Sequence, residues 1–242
     1  MIFFMSMPLP PLCMSLLTAL ALWAVGPNAQ AQSFCASDGQ PRPVRLMERF
    51  INADCETCWS DPATPVPGLR SVALDWIVPG TRGDDAPLSS VATRDALHRL
   101  EALKENIPAK ATGAEHKVKG LPGAALRVAH GLPVSNYLGV SIELKPVAPA
   151  ARQPLNAWLA LVETLPAGIE GSPVERNLVR NLILQPWNGR NQLSNSEQSR
   201  LFEARSMSIV PAANPERLRV IGWIEDEKGQ VLAAAESRCA AP

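Results

Sequence analysis

The chain has no net charge to work with: 23 Lys and Arg are balanced by 23 Asp and Glu. Neither half departs far from balance, since residues 32–110 hold 9 basic and 11 acidic groups and residues 111–242 hold 14 and 12. Binding a phosphate backbone requires a basic excess, so nucleic acid is not an expected partner. The sequence also lacks G-x-S-x-G, H-E-x-x-H and a Gly-rich phosphate loop, which removes the hydrolase and nucleotide classes those motifs signal. There are only three histidines. His98, His116 and His130 show no ligand spacing, so no metal set is complete and no cofactor is expected. His98 is read as a helix surface residue, His116 and His130 as loop residues, and Asp84-Asp85 as a solvated turn. No internal repeat appears.

Residues 1–31 contain no charged side chain. The apolar run from Leu12 to Val25, followed by the small-x-small triplet Ala29-Gln30-Ala31, has the pattern of a signal peptide with a mature start at Gln32. Pro8, Pro10 and Pro11 leave fewer apolar residues than the roughly 20 a membrane span needs, so no stable anchor is expected after cleavage. The expected location is periplasmic or secreted.

Four cysteines follow that segment: Cys35, Cys55, Cys58 and Cys239. An even number in an exported chain implies two disulfides, and four cysteines allow three pairings. Cys55 with Cys58 is the local choice, which leaves Cys35 near one terminus and Cys239 near the other as a structural bridge. Domain termini are commonly close in space. A loop of that length is worth about 4–5 kcal/mol in the chain-entropy account of disulfide stabilisation.

Between the cysteines, Pro43 to Ile51 and Leu69 to Val78 read as strands, the second more buried and ended by Pro79-Gly80. Ser89 or Ser90 can cap a helix running to about Asn106, with Leu97, Leu100, Leu103 and Ile107 on its core face and Asp95 and Arg99 as an i,i+4 pair. Residues 111–123 lack periodicity and read as a linker. Seven short strand-like runs then follow: 125–129, 137–144, 157–163, 178–184, 201–210, 218–226 and 231–237. Turn residues such as Trp187-Asn188-Gly189 separate them, which is the pattern of an antiparallel sandwich. Trp76, Trp158 and Trp223 read as core.

Glu48-Arg49-Phe50 leading to Cys55-Glu56-Thr57-Cys58, Asp75-Trp76 in the next strand, Trp158 to Leu161, Asn177 to Asn181 and Trp187 to Gly189 together carry a family resemblance. The chain resembles exported bacterial proteins that join a thioredoxin-like domain to an immunoglobulin-like domain. The resemblance implies an α+β protein: a signal peptide (1–31), a small thioredoxin-like unit with the C-x-x-C (32–110), a linker (111–123) and an antiparallel β-sandwich (124–242). The thioredoxin-like unit is expected to be shortened. Prolines at 62, 65 and 67 oppose the long helix that would begin at the motif, because an interior proline costs about 3 kcal/mol.

Cys55 and Cys58 allow three readings, of which metal binding is the least favoured, since the pair gives two soft ligands suited to Cu(I) but a zinc site needs two more. As a catalytic redox pair they would exchange disulfides with a protein or thiol partner, with Cys55 the more exposed nucleophile. As a structural bridge they would pin a loop in a module whose sandwich binds a partner. Asp54 and Glu56 beside the motif disfavour a thiolate, and the residues favour the structural reading. Asp75, a carboxylate in an apolar strand, either tunes the thiols or is satisfied by backbone donors.

Overall fold

The strand Leu155–Leu165 (β7) is buried along almost its whole length on both faces. Leu155, Ala157, Leu159 and Leu161 point into one apolar cluster, whereas Trp158, Ala160 and Val162 point into another. The two-residue period of a strand sends these sets to opposite sides, so β7 must lie inside a layered structure. The computed structural model describes residues 34–145, 153–187 and 201–239. The expected signal peptide, the expected mature start at Gln32 and the Asn188-Gly189 part of the expected turn lie outside the described residues.

Around β7 runs a seven-stranded sheet. Its order is Val231–Glu236 (β11), Leu218–Asp226 (β10), β7, Arg176–Trp187 (β8), Ser71–Val78 (β3), Arg45–Asn52 (β2) and Ala111–Lys117 (β4). A second sheet orders Arg238–Cys239 (β12), Cys35–Ala36 (β1), Ala125–His130 (β5), Tyr137–Lys145 (β6) and Leu201–Ser208 (β9). Val128, Leu138, Val140, Ile142 and Leu144 from this sheet meet Leu159, Leu161, Val220 and Ile224 from the other. The two open sheets thus face each other across one apolar layer, as in a β-sandwich. Strands dominate the described residues, and all seven of the predicted C-terminal runs are strands.

Two expectations are corrected. The stretch 111–123 is not simply a linker, because Ala111–Lys117 is an edge strand antiparallel to β2, with Phe50 opposite Thr112. Its side chains are mostly exposed, so it carries no apolar alternation to read. Nor do residues 32–110 form a separate layer: β3 joins β8 in parallel at Asp75 and Leu178, and the described residues all fall within the compact unit 33–242.

The helix is shorter than expected, Arg94–Leu103 (α2), capped by the Thr93 hydroxyl accepting from the Ala96 N–H. Ser89–Val91 forms a 3₁₀ turn instead. Ile107 lies beyond the helix and is exposed, and Leu69 is exposed before β3 begins. Leu100 is buried, with Leu97 and Leu103 partly so.

Arg99 does not serve as a surface partner of Asp95. It is wholly buried against the sheet, with its guanidinium donating to Glu48 (Nε to Oε2, 2.8 Å) and to Glu225 (Nη2 to Oε1, 2.7 Å). Its Cζ lies 4.8 Å from the ring centre of Trp158 and 5.1 Å from that of Trp223. The two indoles stack, and each N–H donates to Glu225, at 2.8 and 2.9 Å. His116 Nε2 stands 3.1 Å from Glu48, within ion-pair range but off the line of a hydrogen bond. Burial works to raise the Glu48 pKa, but Arg99 and His116 outweigh it and lower the value from 4.5 to about 2.

Two predictions follow from this packing. A Cβ placed on Gly222 would collide with Val128 and press on Ile142 and Leu159, so Gly222→Val should lower unfolding stability by about 1–3 kcal/mol. Urea titration checks this, and an unchanged midpoint would refute the close approach of the sheets. Because the folded pKa of Glu48 is depressed, its stabilisation is complete above about pH 4.5 and is lost as the pH falls toward 2. Glu48→Gln should be destabilised at neutral pH and should flatten the acid limb of stability against pH.

Candidate functional site

β2 ends where the C-x-x-C begins, and Asn52 organises the exit. Its side-chain oxygen accepts from the Asp54 N–H at 2.9 Å, its backbone carbonyl accepts from Cys55 N–H at 2.9 Å, and its amide donates to the Pro108 carbonyl at 2.8 Å. Glu56–Trp59 (α1) then makes one helical turn and stops. The prolines that follow do end the helix, as expected from their lack of an N–H. Cys55 and Cys58 are joined by a disulfide.

The exposures reverse the expectation for the sulfurs. Cys55 is buried at 8% exposure, whereas Cys58 is half-buried. Cys58 lines a shallow cleft of about 250 Å³ together with Arg49, Phe50, Thr64, Pro65 and Arg176. A one-turn helix offers little of the positive end that lowers a cysteine pKa. Asp54 bears negative charge nearby. Burial opposes its ionisation, but hydrogen bonds from Thr81 and from the Arg82 N–H, with the Arg82 charge, hold its carboxyl below the usual range. Gly80 permits this clasp, since a Cβ there would run into the Asp54 carboxylate.

Asp75 organises the segment after the disulfide. It is fully buried on β3, where its carboxylate accepts from Arg49 Nη2 at 2.6 Å, Arg176 Nη1 at 3.0 Å and the Asn177 N–H at 2.9 Å. The two guanidiniums then reach over the loop. Arg176 donates to the Trp59 carbonyl at 2.8 Å, and Arg49 to the Pro65 carbonyl at 2.8 Å. Arg176 also lies over the Trp59 ring, 4.9 Å from its centre, and the indole N–H donates to the Glu170 carbonyl. Burial lowers the Arg176 pKa against the opposing pull of Asp75, with Arg49 adding to the lowering.

Asp75 therefore binds one backbone donor and two cations, and it acts on the loop through those two arginines. Arg176 and Thr64, which completes its coordination at 3.1 Å, had no sequence signal, since an arginine opening a strand reads as solvated. His116 and His130 are corrected from loop to strand positions in β4 and β5; His98 is exposed on α2 as expected. Cys35 and Cys239 form the second disulfide, across β1 and β12.

Removing the Asp75 carboxylate would leave two buried guanidiniums facing each other. Asp75→Ala should cost about 3–5 kcal/mol and speed amide hydrogen exchange across residues 59–65. Exchange rates there that match the parent would show that the clamp does not hold the loop.

No protein-family model matches the chain, and no curated protein matches it. The structure of HBP35 of Porphyromonas gingivalis is similar over 81% of this chain and 74% of its own, with a TM-score of 0.53 at 10% identity. That likeness is one of fold. The crystal structure of chicken MD-1 complexed with lipid IVa aligns with 52% of this chain and 97% of its own at 11% identity, but its TM-score of 0.21 supports no common fold.

Proposed function

We propose that this is an exported, periplasmic or secreted protein that combines a shortened thioredoxin-like arrangement with a β-sandwich, and that its Cys55–Cys58 bridge is structural. The thioredoxin-like part of the reading is supported by order and direction. The strand before the C-x-x-C pairs in parallel with the next strand and antiparallel with the one after α2. Export is supported by two disulfides, which persist where thiols are not kept reduced. Among the described residues no helix is long and apolar enough to cross a membrane.

The observation that carries the structural role is the burial of Cys55 in a turn held from both ends, by Asn52 and Asp54 before it and by the Asp75 clamp after it. A pair that works by exchange needs an accessible sulfur with a stabilised thiolate, and this turn supplies neither at Cys55. The sandwich is then the partner-binding part: Leu132 and Val134 are exposed between β5 and β6, and so is Tyr137 at the start of β6.

A second reading, thiol–disulfide oxidoreduction, is favoured by one feature, the opening of Cys58 onto the cleft beside Arg49 and Arg176. It makes Cys58 the attacking sulfur in place of Cys55. The reduction potential of the 55–58 pair separates the two. A structural bridge should lie below about −300 mV, and an exchange-active pair between about −120 and −270 mV. A value in the upper range, with insulin reduction abolished in Cys58→Ser, would replace the structural reading with the enzymatic one.

A further inference from the structure

The second disulfide has a neighbour that the sequence did not announce. β12, β1 and β5 lie side by side, and their register sets Cys239 opposite Cys35 and Cys35 opposite His130. Directly paired residues project from the same face of a sheet, so the three side chains form one row. The two sulfurs and a ring nitrogen of His130 all lie within 4.8 Å of one another. Cys35 and His130 are buried, at 1% and 5% exposure, and Cys239 is exposed, which leaves an approach from solvent.

One nitrogen of the imidazole is left without a partner. Nδ1 lies 2.9 Å from the Gly131 carbonyl, an acceptor only, so Nδ1 carries the proton and Nε2 the lone pair. Nε2 is buried and has no hydrogen-bond partner. A buried acceptor left in that condition is costly unless something fills it. A carbonyl fixing the tautomer through the far nitrogen is also the usual support of a metal-bound histidine.

We propose that Cys35, Cys239 and His130 form a three-ligand site for Cu(I) once the bridge between the cysteines is reduced. A dithiol supplies the two electrons and two protons that convert the disulfide to two thiols. Cu(I) then displaces both thiol protons and takes two thiolates and the His130 imidazole. Thiolate and imidazole donors suit this soft cation, and three of them satisfy it. A structural zinc site takes four, and among the described residues no further His, Cys, Asp or Glu joins the group. The same two sulfurs thus serve either the bridge or the metal, never both.

The test uses the full chain carrying Cys13→Ser, Cys55→Ser and Cys58→Ser, which leaves Cys35 and Cys239 as its two thiols. Reduced anaerobically with excess phosphine, it should bind one Cu(I) per chain in competition with a chromogenic chelator, and bound metal should protect Cys35 and Cys239 from alkylation. The oxidised protein should bind none. His130→Ala should weaken binding by at least about tenfold, the scale on which even outer partners of metal ligands act. X-ray absorption of the loaded protein should report two sulfurs and one nitrogen, which keeps the proposal testable if the alanine variant fails to fold. No binding by the reduced chain, two-sulfur coordination without nitrogen, or loss of strand structure on reduction that Cu(I) does not restore would each overturn it.

Discussion

Arg99 is the side chain on which the arrangement of this protein depends. A guanidinium with no exposure must be met by negative charge and by acceptors for its N–H groups, and here the partners come from distant segments: Glu48 on β2, Glu225 on β10 and the faces of Trp158 and Trp223. Satisfying one cation therefore fixes where α2, β2, β7 and β10 lie relative to one another. Breaking such a cluster by removing one member is costly, because the remaining charge is left buried and unpaired. Its stacked indoles complete the site by turning both N–H groups onto Glu225, so the tryptophans belong to the polar network as well as to the apolar core.

The opposite face of the same sheet repeats the device with the charges inverted. There one carboxylate, Asp75, serves two guanidiniums. It stands at the single pairing between β3 and β8, where the ladder itself is short, and the Asn177 side chain donates to the Ala73 carbonyl across the same junction. Side-chain hydrogen bonds thus reinforce a seam that backbone pairing alone barely makes. The same guanidiniums continue outward to the loop after Cys58. The bridge, the loop and the seam are one connected structure, which is the physical basis for reading the C-x-x-C as a fixed element of the fold.

How much of this was legible beforehand varies with the kind of information involved. β6 could be read because an alternating apolar pattern is local, and β10 because a short apolar run between turn residues is local too. The stop after Trp59 could be read because proline acts on its own backbone. β4 could not be read, since an exposed edge strand needs no apolar face. β1 and β12 are two residues each and exist only through their neighbours. On the helix the leucines mark the core face by their spacing, whereas nothing local marks Arg99, which matters more.

By itself the sequence determined the strand-rich second half, the buried tryptophans, the even cysteine count and the absence of familiar hydrolytic motifs, because each depends on composition or on spacing along the chain. It also pointed to both disulfides, one from its spacing and the other as the remaining pair. Only the tertiary structure decided that Cys58 rather than Cys55 opens onto a cleft, that residues 45–117 extend the sandwich's own sheet, and that His130 stands beside Cys35. These are facts of register and burial between segments up to 204 residues apart. No local propensity encodes them, because each arises from which strands pair and which faces close.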